Sequence, residues 1–199
     1  MRLRCVIVNV LTGPLMVVLG VLVVAGGAKL RSPSPTAAAL EVLRIPKPLL
    51  AARLMGFVEV VLGIGAAITG EPALYGLVAL SYGGFAAFIL WALNGNEADI
   101  SCGCFGHEDT PPTAGHAAFN AAAAAIAALA IFNPVSLADF DGTVVEGVLA
   151  GIVTIIAIAL CIAALTIIPR NLALVRGTAP PISPTFALRS TATHPRGNS

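Results

Sequence analysis

Five stretches of this sequence are apolar enough, or nearly so, to cross the hydrocarbon core of a membrane, which takes about 20 such residues in a helix. We expect spans at about residues 5–28, 49–69, 73–93, 116–132 and 144–168. The charged fraction of 11% agrees with this, because a soluble domain carries roughly twice that fraction. The sequence therefore predicts an all-α, polytopic transmembrane helical bundle with four core helices and a fifth, C-terminal span.

The first apolar run is longer than the core of about 7 to 15 residues in a signal peptide, so we expect a retained span.

Two segments outside the spans have predictions of their own. A short helical pattern at 36–45 is expected to lie along the membrane surface. Residues 170–199 are rich in proline, lack an apolar period and are predicted to be a disordered polar tail behind a bundle of residues 1–169.

Charge and cysteine content exclude several classes of protein. The formal net charge is +1 and no basic cluster exists, which excludes a nucleic-acid binder that neutralises a run of phosphates. Four cysteines in 199 residues are too few for a disulfide scaffold, so each is interpreted from its position. Cys5 and Cys161 lie in apolar stretches, where we expect them to act as small packing residues.

The remaining two cysteines, Cys102 and Cys104, flank Gly103 in the polar connection between the third and fourth spans. A disulfide needs a Cα separation of about 4.4–6.8 Å. Cysteines two positions apart reach this separation only in a tight turn, which the glycine between them permits. A bridge that closes so small a ring stabilises little and is readily reduced. We therefore predict that Cys102 and Cys104 are the catalytic pair of a thiol–disulfide exchange site, with a structural bridge as the alternative.

Histidines near this pair suggest a second chemistry. A charged His107 would favour the thiolate, whereas the acidic neighbours oppose it, so His107 is only a candidate supporting residue. Cys102, Cys104, His107 and His116 could together hold a tetrahedral zinc ion. Their spacing matches no familiar zinc motif, and we predict neither a metal nor a cofactor.

Two polar residues within the spans are candidate supporting residues. Glu59 lies in the middle of the second span, where a carboxyl group facing lipid is costly. Lys29 is its natural partner and Arg53 is another candidate; a protonated carboxyl hydrogen-bonded to a neighbouring helix is the third interpretation. For Asn120 in the fourth span we expect a hydrogen bond to another helix.

Small residues indicate where helices could meet, because they let backbones approach closely in lipid. The candidates are Gly63 with Gly65, Gly83 with Gly84, and Gly147 with Gly151.

The orientation signals disagree. Nine of the eleven Lys and Arg residues lie on one side, together with the Cys102 connection, and the positive-inside rule would place them in the cytoplasm. Arg2 and Arg4, before the first span, favour the opposite orientation. We expect a plasma-membrane protein whose Cys102 connection is extracytoplasmic, where oxidants can reach the thiols.

Several motifs resemble those of the methylamine utilisation protein MauE family and its DoxX-like redox relatives. They are GGAKLR at 26–31, the glutamate and glycine at Glu59 and Gly63, and CGCFG at 102–106 before a helix containing an asparagine. The resemblance extends over about residues 10–132; Phe119 stands where the family pattern has an arginine. It implies a small helical-bundle membrane protein with a thioredoxin-like partner and a disulfide-containing client, such as methylamine dehydrogenase. Lys29 and Glu59 of this sequence match charged positions that recur in the family.

Two functional hypotheses follow. In the first, the protein is a redox accessory, rather than a stand-alone enzyme, whose cysteine pair supports maturation of a partner in methylamine metabolism. In the second, it is a non-enzymatic interaction or metal-binding subunit that uses the Cys102 connection to dock another protein. A quinone-linked oxidase is a minor third interpretation, since nothing in the sequence identifies a quinone pocket.

Overall fold

The structure is a computed structural model that describes residues 2–95, 113–137 and 143–175, with side chains for 11–95, 113–137 and 143–167. Cys102, Cys104 and His107 lie outside the described residues, as does the side chain of Cys5. The described residues form six helices and no strand. The helices are α1 Arg2–Arg31, α2 Ser34–Val42, α3 Pro48–Thr69, α4 Pro72–Asn94, α5 Ala114–Phe132 and α6 Val144–Val175.

Five of these helices are long and apolar enough to cross a membrane, which confirms the predicted polytopic bundle. Helix α1 packs mainly against α3, α4 packs mainly against α5, and α6 packs against α1. Successive spans alternate in direction, so that α1, α4 and α6 finish where α3 and α5 begin. We call this the Thr113 end of the bundle. The short helix α2 packs on α3 through Ala37, Leu40 and Ala52.

The helix boundaries follow from capping and from proline. Helices α3 and α4 begin with Pro48 and Pro72, whose missing N–H is not needed in a first turn. Helix α5 begins two residues earlier than predicted because Thr113 caps it. The last helix is longer than the predicted span at about 144–168, since α6 continues through Pro169 to Val175. A proline inside a membrane helix is tolerated where a neighbour satisfies the carbonyl that loses its donor.

The contact between α1 and α3 depends on small residues. The buried positions of α3 alternate in steps of four and three and so share one face of the helix: Ala52, Gly56, Glu59, Gly63 and Ala66. Gly56 lies directly on α1, because a Cβ there would be 2.7 Å from the carbonyl oxygen of Gly26. Gly63 also faces α1, as predicted, where a Cβ would be 2.6 Å from Cγ2 of Val23. A Cβ at Gly83, Gly84 or Gly151 would meet open space among the described atoms, so these glycines do not mark contacts in the described bundle.

Adjacent glycines of α1 provide a direct test of this contact. In Gly26→Ala the new methyl group would lie 2.6 Å from the Gly56 carbonyl oxygen and 2.9 Å from the Glu59 Cβ. We expect it to lower the free energy of unfolding by about 1–3 kcal/mol through overpacking. Gly27→Ala is the matched control, since its methyl group would enter open space in the described bundle. Reversible unfolding in mixed micelles measures both, and equal stability of the two variants would contradict the close contact.

Candidate functional site

The centre of the site is an ion pair between α1 and α3. Lys29 Nζ lies 2.8 Å from Glu59 Oε2, and each residue is only 1% exposed. The glycines make this possible. A Cβ at Gly26 would meet the Cβ of Glu59, and a Cβ at Gly56 would meet that of Lys29. Each charged side chain therefore leaves its helix directly over the glycine of the other helix.

The surroundings of the pair are apolar and leave it incompletely hydrogen-bonded. The Lys29 ammonium lies 4.9 Å from the centre of the Phe85 ring, which attracts a cation through its electron-rich face. Glu59 Oε1 is buried and has no hydrogen-bond partner among the described residues. An orphaned carboxylate oxygen in an apolar interior is costly, so the pair is not the arrangement that packing alone would favour.

A small cavity lies beside the lysine. Its volume of ≈ 20 Å³ is sufficient for about one water molecule. Residues of α1, α4, α5 and α6 form its wall, among them Lys29, Tyr82, Phe85, His116, Phe119, Asn120 and Leu165. A cation, an imidazole, an amide and a phenol thus converge on one enclosed space inside the bundle. Tyr82 is fixed there by a 2.7 Å hydrogen bond from its hydroxyl to the carbonyl of Val18.

His116 is held by the residue that caps its own helix. The Thr113 hydroxyl accepts a hydrogen bond from the His116 backbone N–H at 3.3 Å and lies 2.7 Å from the ring Nδ1. The ring also lines the small cavity together with Leu165 of α6. His116 is 2% exposed, and its Nδ1 faces the Thr113 hydroxyl inside the bundle.

The structure brings together some of the residues singled out from the sequence. Lys29 is the partner of Glu59, whereas the Arg53 side chain is exposed. The expectation for Asn120 is wrong, because its amide N–H donates to the carbonyl of His116, four residues back in the same helix, at 2.8 Å. Cys161 is a free, half-buried cysteine in α6.

Sequence analysis missed the parts played by Tyr82, Phe85 and Thr113, and it considered His116 only as a metal ligand. A signal for His116 exists in the sequence. Thr113 stands three residues before it, the position from which an N-cap hydroxyl accepts the backbone N–H of the third helical residue. For the aromatic residues no local signal exists, because their positions depend on how α1 meets α4.

Comparisons with known proteins support the same family as the motifs. The family model described as "Methylamine utilisation protein MauE" matches residues 7–133, which is more than half of the chain and includes α1 from residue 7 through α5. No curated protein gives a significant match, and neither does any solved structure. Helix α6 lies beyond the matched region.

The ion pair makes a prediction about stability. Lys29→Met leaves the Glu59 carboxylate buried without its cation, and we expect the free energy of unfolding to fall by about 3–5 kcal/mol. The double variant Lys29→Met/Glu59→Met should recover most of that loss, because two apolar side chains leave no buried charge. Unfolding in mixed micelles measures this, with Arg53→Met, an exposed position on α3, as the control. A double variant no more stable than Lys29→Met would contradict the coupling.

Proposed function

Because the chain belongs to the family of the methylamine utilisation protein MauE, we propose that it is a membrane accessory protein in the maturation of a disulfide-containing client of methylamine utilisation. It acts on another protein rather than as a stand-alone enzyme. Its reactive groups are Cys102 and Cys104, both of which lie within the matched residues.

The proposed reaction is thiol–disulfide exchange with a thioredoxin-like partner. One cysteine thiolate attacks a sulfur of the partner's disulfide, forms a mixed disulfide and releases the partner's other sulfur as a thiolate. The second cysteine then attacks the mixed disulfide, which releases the reduced partner and leaves Cys102 and Cys104 joined. Run in reverse, the same steps pass the disulfide on to a reduced protein. Two electrons move in each cycle, so no further oxidant enters the exchange itself.

The observation that carries this proposal is where the cysteine-bearing connection is attached. Residues 96–112 join the end of α4 to the start of α5, and both of these points belong to the Thr113 end of the bundle. The buried polar cluster of Lys29, Glu59, His116 and Asn120 lies in the same part of the bundle. Buried ionisable groups at the end of the bundle to which a cysteine pair is attached favour a functional role for that end over a simple connection.

We place the protein in the plasma membrane with the cysteine connection outside the cytoplasm. The positive-inside count opposes this orientation. Its weight is smaller than the sequence alone indicates, because one of the nine counted residues, Lys29, is paired with Glu59 inside the bundle. An oxidising compartment also suits an exchangeable disulfide better than the cytoplasm does.

Thiol trapping in intact cells tests the reaction. We expect Cys102 and Cys104 to be partly joined in the native protein, and one of Cys102→Ser and Cys104→Ser to accumulate a mixed disulfide with a partner. The variant that accumulates it retains the attacking cysteine and lacks the resolving one. Cys161→Ser is the control and should leave the pattern unchanged. If both cysteines stay reduced and neither variant captures a partner, the protein is a docking subunit and the exchange reaction is wrong.

Labelling tests the orientation. After mild reduction of whole cells, a membrane-impermeant maleimide should modify Cys102 and Cys104 without permeabilisation. Cys102→Ser/Cys104→Ser controls for labelling at Cys5 and Cys161. Modification that appears only after the membrane is opened would place the connection in the cytoplasm.

A further inference from the structure

Helix α6 is the span least supported by packing. None of the residues in its most apolar window is buried, and the helix lies outside the region that the family model matches. In lipid no hydrophobic force drives helices together, so a helix with few contacts stays on a bundle through close packing or specific hydrogen bonds. The described residues provide one close packing contact with α6 and one polar side chain, His116, that shares a cavity with it.

The packing contact is between α6 and α1. Gly20 leaves room for Ile158, whose Cδ1 occupies the space that a Cβ at position 20 would need. The polar group lies nearer the Thr113 end, where His116 of α5 and Leu165 of α6 line the same small cavity. The acceptor of interest there is the backbone carbonyl of Leu165.

Pro169 explains why that carbonyl is free. In an α-helix the carbonyl of residue 165 accepts a hydrogen bond from the N–H of residue 169, but proline has no N–H. Because α6 continues through Pro169 to Val175, the carbonyl remains in a helical environment without its usual donor. In lipid such a carbonyl needs another donor, and a neighbouring helix is one source of it.

His116 can supply it because of Thr113. If the Thr113 hydroxyl donates to Nδ1, the imidazole is neutral and its proton is on Nε2, the nitrogen left to donate to a carbonyl. Thr113 accepts the His116 backbone N–H at the same time, so capping of α5 and orientation of the ring depend on one hydroxyl. Thr113 is also the first described residue after the cysteine-bearing connection.

We propose that His116 couples the start of α5 to the docking of α6, by donating to the Leu165 carbonyl that Pro169 leaves free, under the control of the Thr113 hydroxyl. The position of α6 beside the Lys29 cavity thus depends on the first turn of α5, which Thr113 caps. This coupling between α5 and α6 does not require the proposed thiol exchange, and the two proposals are tested independently.

A double-mutant cycle between His116 and Pro169 tests the device in the full chain. Gly20→Cys and Ile158→Cys are introduced together, with the four native cysteines replaced, and the initial rate of oxidative cross-linking in membranes measures docking of α6. His116→Phe should lower this rate by about 2- to 10-fold, as expected for one hydrogen bond. In a Pro169→Ala background, where residue 169 supplies its own N–H, the same substitution should lower the rate less than about 2-fold.

The Thr113 hydroxyl provides the matched comparison. With Pro169 present, Thr113→Val should lower the cross-linking rate as His116→Phe does, whereas Thr113→Ser should retain it. A fall that is equally large with Pro169 present and in the Pro169→Ala background would show that His116 acts through packing alone. No fall in either background would show that His116 does not hold α6. Either result overturns the proposal.

Discussion

Lys29 and Glu59 are buried in an apolar bundle and stabilise each other there as charged partners, and this pairing constrains how α1 meets α3. Each charge would be costly if it faced lipid alone. The pair forms because Gly26 and Gly56 bring the two backbones into contact, and each charged residue emerges over the opposite glycine. A shift of one helix along the other would put a Cβ into a backbone and separate the charges. The glycines and the ion pair therefore specify one register together.

The α4–α5 pair is joined to the α1–α3 pair by polar contacts in the middle of the bundle and at the end opposite Thr113. In the middle, the Tyr82 hydroxyl donates to the Val18 carbonyl of α1, and at that end the Ser136 hydroxyl donates to the Ile68 carbonyl at 2.6 Å. Within the α4–α5 pair, the Tyr75 hydroxyl donates to the Val135 carbonyl near the same end. Where lipid tails are as apolar as leucine, such contacts decide which helices pair, while the alanine-rich face of α5 allows the close approach.

Much of the fold could be predicted from the sequence, because a membrane span is a property of length and composition. The pairing of Lys29 with Glu59 could also be anticipated, since a carboxyl group in the middle of a span needs a cation. The choice of glycines could not. Gly26 and Gly56 form the contact while Gly83 and Gly84 do not, and only the three-dimensional register separates them. The hydrogen bond of Asn120 escaped prediction for a different reason, because an asparagine side chain can bond either to another helix or to the carbonyl four residues back in its own helix.

The ion pair has a consequence beyond stability. Two apolar side chains of similar volume would commonly hold such helices as well or better, and the pair leaves one carboxylate oxygen without a described partner. Its contribution is then specificity of arrangement. Because Lys29 and His116 line one cavity, the register set by Lys29 and Glu59 also determines where α1 stands relative to the first turn of α5. That turn begins at the residue where the cysteine-bearing connection ends, so the buried charge pair fixes the arrangement of helices at the end of the bundle to which the proposed exchange site is attached.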